Sequence, residues 1–184
     1  MARKTKAEAR KTRQHLNETA IVQFAARGVG NTTLNDIADA ANVTRGAIYW
    51  HFDNKSQLFN ELWLQQPPLR DLIQDQLIGR WGDNPLQRLR EKLVVGLQYI
   101  AKIPRQRALM QILYHKCEFH NDMISEQDIR DKIGLCHQRI RDSLQKCMDE
   151  NLIATSLDLD VILIILHGSF SGIIKNWLMN LLVF

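Results

Sequence analysis

Residues 33–55, TLNDIADAANVTRGAIYWHFDNK, constrain this chain more than any other stretch. They read as two short helices joined by a tight turn, followed by the first turn of another helix. Thr33 is placed to cap the first helix, with Asp36 three residues on as its reciprocal partner. Leu34, Ile37, Ala38 and Ala41 then share one face at helical spacing. Ala41-Asn42-Val43 forms the turn, and Asn tolerates the left-handed conformation better than most residues. Thr44 caps the second helix, and Ile48 and Phe52, four apart, point back into a small core.

The side chains left outside that core carry a different chemistry. Thr44, Arg45 and Gly46 open the second helix, where a side chain or bare backbone can approach a base edge. Tyr49, Trp50 and His51 follow, and Lys55 opens the next helix. A phenol, an indole N–H, an imidazole and an ammonium are all donors suited to phosphate oxygens, and so is the hydroxyl of Thr33. Expected base contacts are therefore Thr44, Arg45 and Gly46. Expected phosphate contacts are Thr33, Tyr49, Trp50, His51 and Lys55.

The pattern Thr33-x-x-x-Ile37-Ala38-x-x-Ala41-x-Val43-Thr44-x-Gly46-x-Ile48-Tyr49-x-His51-Phe52-x-x-Lys55 resembles the DNA-binding signature of the TetR family of transcriptional repressors. Asn42 stands where that family often has Gly. The run 44–52, with the basic start 1–6, is similar to the AcrR group, the local repressors of multidrug efflux pump genes. The resemblance implies a repressor dimer on a pseudo-palindromic operator in double-stranded DNA. It also implies release by a small hydrophobic or cationic effector bound in a helical second domain.

Charge supports a polyanionic partner. Residues 1–56 hold nine Lys/Arg and five Asp/Glu, a net +4, whereas residues 57–184 hold fifteen of each. The whole excess lies on the segment with the helix-turn-helix, the footprint of salt-sensitive phosphate binding. Arg3, Lys4, Lys6, Arg10, Lys11 and Arg13 form a basic arm that suits phosphates or a minor groove. Three cysteines, no CxxC pair and a charged N-terminus without a secretory signal point to the cytoplasm.

The remaining pattern is helical throughout, so the expected fold is all-α, a three-helix helix-turn-helix domain followed by a helical ligand-binding and dimerisation bundle. The domains are 1–54 and 55–184. Leu16, Ala20, Ile21 and Phe24 mark a first helix that ends at Gly28. A helix from Lys55 runs to about residue 66, where Pro67-Pro68 breaks it. Further helices are expected over 69–81, from Pro85 after an Asn84 cap, from 104 to about 120, from a Ser125/Asp128 capping box to about 150, and from about 158 onward.

In the second domain, a flexible apolar pocket is expected from Trp63, Gln66, Leu97, Ile100 and Met110. Leu113, Tyr114, Cys117, Phe119 and Gln138 complete that set, with Glu118 as a counter-charge for a cationic ligand. Residues 161–184 are apolar, but His167, Lys175, Asn176 and Asn180 interrupt them. A central Lys costs about 2.5–3.5 kcal/mol on insertion scales, so no membrane association is expected. By resemblance, the last two family helices form a four-helix dimer interface, and here Ser169, Gly172 and Trp177 would serve it. Family members generally carry one more helix after this one. The resemblance therefore implies that the last family helix is absent, by truncation or because the interface forms differently.

Enzymatic chemistry is not expected. The chain has no nucleophile elbow, no Walker motif and no HExxH. His115 and Cys117, two apart on a helix, face opposite ways, so no metal and no cofactor are expected. Two alternatives remain open on sequence grounds: a non-specific nucleoid-type DNA binder, and a small-molecule-binding protein with vestigial DNA binding.

Overall fold

The computed structural model describes residues 6–79, 84–133 and 137–180. Arg3 and Lys4 of the basic arm, Cys136 and residues 181–184 lie outside that set. Among the described residues every regular element is helical. The order is α1 (Lys6–Arg27), α2 (Leu34–Ala40), α3 (Arg45–His51), α4 (Lys55–Leu64), α5 (Leu69–Leu77), α6 (Pro85–Lys102), α7 (Pro104–Gln111), α8 (Glu126–Lys132), α9 (His137–Asp149) and α10 (Leu159–Asn180). The helices form two compact units, one of Met1–Gln65 with Ala108–Ser125, the other of Gln66–Arg107 with Glu126–Phe184.

The first unit is built as its apolar spacing dictates. Leu16, Ala20, Ile21 and Phe24 of α1 are buried, as are Leu34, Ile37, Ala38, Ile48 and Phe52. Each large side chain of this kind contributes roughly 1.5–3 kcal/mol on burial. Gly28 has φ 88° and its N–H closes on the Phe24 carbonyl at 2.9 Å, ending α1 in the left-handed conformation. Asn42 adopts φ 53° in the turn between α2 and α3, where the amide residue stands in for glycine. Leu58, Phe59, Leu62 and Trp63 of α4 complete this core, so the unit runs to Gln65, beyond the division at 54/55 drawn from sequence.

The chain returns to this unit late. After α7 it widens into a π-helical turn at Ile112–Lys116, which packs on α1. The Lys116 carbonyl accepts the Val29 N–H at 2.8 Å, and Cys117 is extended. That diversion ends the helix expected to reach about residue 120. Farther along, the Ile124 N–H donates to Asn60 Oδ1 at 2.7 Å and Ser56 Oγ donates to the Asp122 carboxylate. Phe119 meets Phe59 edge-on, with ring centroids 6.2 Å apart.

The second unit is a helical bundle. Asn84 Oδ1 accepts the Gln87 N–H at 2.9 Å and Pro85 takes the first helical position of α6, as the sequence cue requires. Leu89, Ile140, Leu144 and Leu163 form one buried cluster, and Ile73, Leu77 and Val95 another. The helix expected from 125 to 150 is described as α8 and α9, with 134–136 between them outside the described residues. By length and composition α10 could cross a bilayer, but one such helix is weak evidence of a span; Leu163, Phe170, Ile174 and Leu178 pack into the fold and the rest of the helix is largely uncovered.

Candidate nucleic-acid interface

Two capped helices set the interface. The Thr33 hydroxyl accepts the Asp36 N–H at 3.1 Å, and the Asp36 carboxylate accepts the Thr33 N–H at 2.8 Å and its O–H at 2.7 Å. These Thr33 hydrogen bonds, with Arg27 at 3.5 Å, hold the Asp36 carboxyl below its ordinary pKa. Thr44 Oγ1 accepts the Ala47 N–H at 3.2 Å and starts α3.

On α3 one face is buried through Ile48 and the other meets solvent. Thr44, Arg45 and Gly46 are exposed together at its start. A Cβ built on Gly46 would find no atom within 4 Å, so this stretch of backbone is bare. The Arg45 guanidinium lies 5.5 Å from the centre of the Tyr49 ring, one turn along. Trp50 is 72% exposed, an unusual state for the largest side chain.

Three residues expected at phosphates make contacts within the protein. His51 is only 7% exposed, edge-on to Trp50, and is a buried support. The Lys55 ammonium donates to the carbonyls of Val29, at 2.6 Å, and Gly30, at 3.3 Å, so it fastens the loop after α1. The Thr33 hydroxyl has committed its proton to Asp36. For Lys55 the spacing gives the helix but not the distant carbonyls that take its ammonium, whereas the Thr33 partner is the local capping residue Asp36 and His51 is claimed by burial.

A brace that spacing does not reveal holds α3 in place. Arg13 Nε donates to both Glu61 oxygens at 2.8 and 2.9 Å, and Nη1 donates to the His51 carbonyl at 2.8 Å. Its guanidinium also lies 4.4 Å from the centre of the Phe52 ring. Asn17 Nδ2 reaches Glu61 Oε1 at 2.9 Å. Burial disfavours the Glu61 carboxylate, but hydrogen bonds from Arg13 and Asn17 outweigh it and leave the pKa lowered. Arg13 is thus a strut between α1, α3 and α4, not a member of a phosphate-binding arm. Lys6, Arg10 and Lys11 are exposed on α1.

The second unit contains a cavity of about 510 Å³, within the range of small-molecule sites. Its apolar wall includes Leu69, Ile73, Leu77, Leu89, Ile140 and Phe170. None of the ten ligand residues expected from sequence lines it. Trp63, Met110, Leu113, Tyr114, Cys117 and Phe119 belong to the first unit, where Trp63, Met110 and Leu113 are buried. Gln66, Leu97 and Ile100 lie in the second unit outside that lining. Gln138 is exposed and donates to Asp142, one residue away from the lining position 139. Helical periodicity marks these positions as inward-facing, and that is equally true of core and pocket.

On α10, Ser169 is exposed and nothing lies within 4 Å of a Cβ built on Gly172. Trp177 is half-buried, its ring centre 5.9 Å from the Arg107 guanidinium of the same unit. Ile164, at 69%, and Ile165, at 62%, are exposed nearby, with Val161, Ile173 and Met179.

A capped, strutted helix that offers an arginine, a glycine and two rings to solvent defines a helix-turn-helix DNA-binding protein. The chain belongs to the TetR family: residues 16–62 match the bacterial regulatory proteins of the tetR family, and residues 84–184 match the C-terminal region of MAATS-type transcriptional repressors. It is a transcriptional repressor and not an enzyme. It is 65% identical over 181 residues to the probable acrEF/envCD operon repressor of Escherichia coli K12, covering 98% of this chain and 82% of that one. It is 41% identical to the transcriptional regulator AcrR of Shigella flexneri, covering 97% and 83%. Among solved structures it resembles NalD, the secondary repressor of the MexAB-OprM multidrug efflux pump in Pseudomonas aeruginosa, with a TM-score of 0.72 and 29% identity over 97% of this chain and 89% of that one.

Proposed function

We propose that this protein acts in the cytoplasm as the repressor of a multidrug efflux operon and leaves its operator when a small apolar molecule binds. The observation that carries the reading is the outward face of α3, where Thr44, Arg45 and Gly46 stand exposed beside Tyr49 and Trp50 while the inner face is fixed. In this reading Thr44, Arg45 and Gly46 meet base edges, and Tyr49 and Trp50 meet phosphates. Thr33, His51 and Lys55 position the reader. The efflux target is inferred from what the named relatives regulate.

Two copies joined through the small and aliphatic face of α10 would set their α3 helices in successive major grooves of a pseudo-palindrome. The cavity of the second unit is the proposed effector site. An effector releases DNA only by binding the released state more tightly than the DNA-bound one. The test is a mobility shift on the DNA upstream of an efflux operon, with footprinting and addition of candidate effectors. The expected result is one protected palindrome and release by an effector. Protection spread over the whole fragment would instead show a non-specific binder.

A further inference from the structure

The geometry points to an amphipathic anion as the molecule held in the second-unit cavity, with Arg139 gripping its carboxylate or sulfate head. This rests on the proposal that the cavity is the effector site, and it reverses the cationic preference expected from sequence. The body of the cavity is aliphatic with one phenyl ring, Phe170. Three ionisable side chains line it: Asp71, Lys92 and Arg139, two cations against one carboxylate. Glu118, the acid expected to counter a cation, lies in the first unit and is not part of the lining.

The two arginines of α9 differ in a telling way. Arg141, outside the lining, is ion-paired with Asp160. Arg139 lines the cavity, and among the described residues its guanidinium has no hydrogen-bonding or ion-pairing partner. Ser143, one turn on, also lines the cavity and donates its proton to the Arg139 carbonyl at 2.9 Å, leaving its oxygen as an acceptor. A guanidinium offers a fork of donors matched to two oxygens of one head group. A cation in the same space would meet Arg139 as a like charge. Apolar walls and a lone forked cation together describe a site for an acid with a hydrophobic tail.

Isothermal titration calorimetry of the whole chain tests this with decanoate and decyltrimethylammonium, equal in tail length and opposite in charge, below their micelle concentrations. Decanoate is expected to bind about tenfold or more tighter than decyltrimethylammonium, and Arg139→Gln to weaken decanoate about tenfold while sparing the cation. Arg139→Lys should recover part of the loss, and Asp71→Asn should tighten decanoate. Leu93→Trp, which fills the cavity, should abolish both. Equal or tighter binding of the cation, or decanoate indifferent to Arg139→Gln, overturns the anion assignment and leaves the cavity as effector site. Absence of heat with both ligands overturns the cavity reading as well.

Discussion

Helices α3 and α10 each turn a group of large side chains to solvent, and they do so with opposite chemistry. Helix α3 shows Tyr49 and Trp50, each with a polar hydrogen, beside an arginine and a bare glycine. Helix α10 shows Ile164, Ile165 and Ile173, which have no polar atom, beside Gly168 and Ser169. Exposed apolar area has the same cost in water in both places. Only the first surface can hydrogen-bond a polyanion, and only the second can be covered fully by another apolar helix. The difference teaches that exposure marks an interface, and that the polar hydrogens on the exposed groups indicate what the partner is made of.

The comparison breaks most easily at α10. Ile164→Glu with Ile165→Glu should leave the fold intact and separate the subunits, seen by sedimentation velocity. Operator affinity should then fall on the order of a hundredfold, because the second half-site is no longer held nearby. A monodisperse monomer before mutation would remove α10 as the second interface. On α3, Arg45→Ala should cost roughly 1–3 kcal/mol on operator and relax sequence preference, measured by fluorescence anisotropy. Trp50→Ala should weaken operator and random DNA alike. Equal behaviour of the two variants on both DNAs would erase the division between reader and grip.

A smaller effect tests the strut behind α3. Glu61→Gln should lower stability by about 1–2 kcal/mol in urea at neutral pH, at the low end for a charged hydrogen bond because Arg13 is half-exposed. The folded Glu61 pKa is lowered from 4.5, so its contribution is complete above that value and disappears as pH falls through the folded pKa. The difference between wild type and Glu61→Gln should therefore shrink on acidification. The smallest expected effect is Gly96→Ala in α6, where the new Cβ would sit 3.6 Å from the Leu69 side chain, an ordinary contact. Relief of glycine's backbone entropy should raise stability by roughly 0.5–1 kcal/mol, read as a shift in the urea midpoint.

What the sequence made legible was local. The capping box at Thr33, the Thr44 cap, the Asn42 turn and the apolar faces of α1 to α4 all depend on residues within four positions of each other. The contacts of Lys55 and Arg13 depend instead on partners far along the chain. Lys55 reaches back 25 and 26 residues to Gly30 and Val29, and Arg13 reaches 48 ahead to Glu61. Spacing places such a residue on an accessible face without naming the acceptor that captures it. The residues expected to line one pocket divide between the units for a related reason: Leu113 and Phe119 have the helical periodicity of a bundle interior, but the π-turn and the Lys116–Val29 bond carry that segment to the first unit.

That returning segment bears on how such repressors are recombined. A cut between Gln65 and Gln66 would free α1 to α4 without the Phe119 ring, the Asp122 acceptor and the Lys116 carbonyl that the isolated piece needs as buttresses. A chimera that gives this head a foreign sensor must therefore transplant two separate gene fragments, 1–65 and 108–125, and a swap made at a single junction would inherit a head missing its keystone.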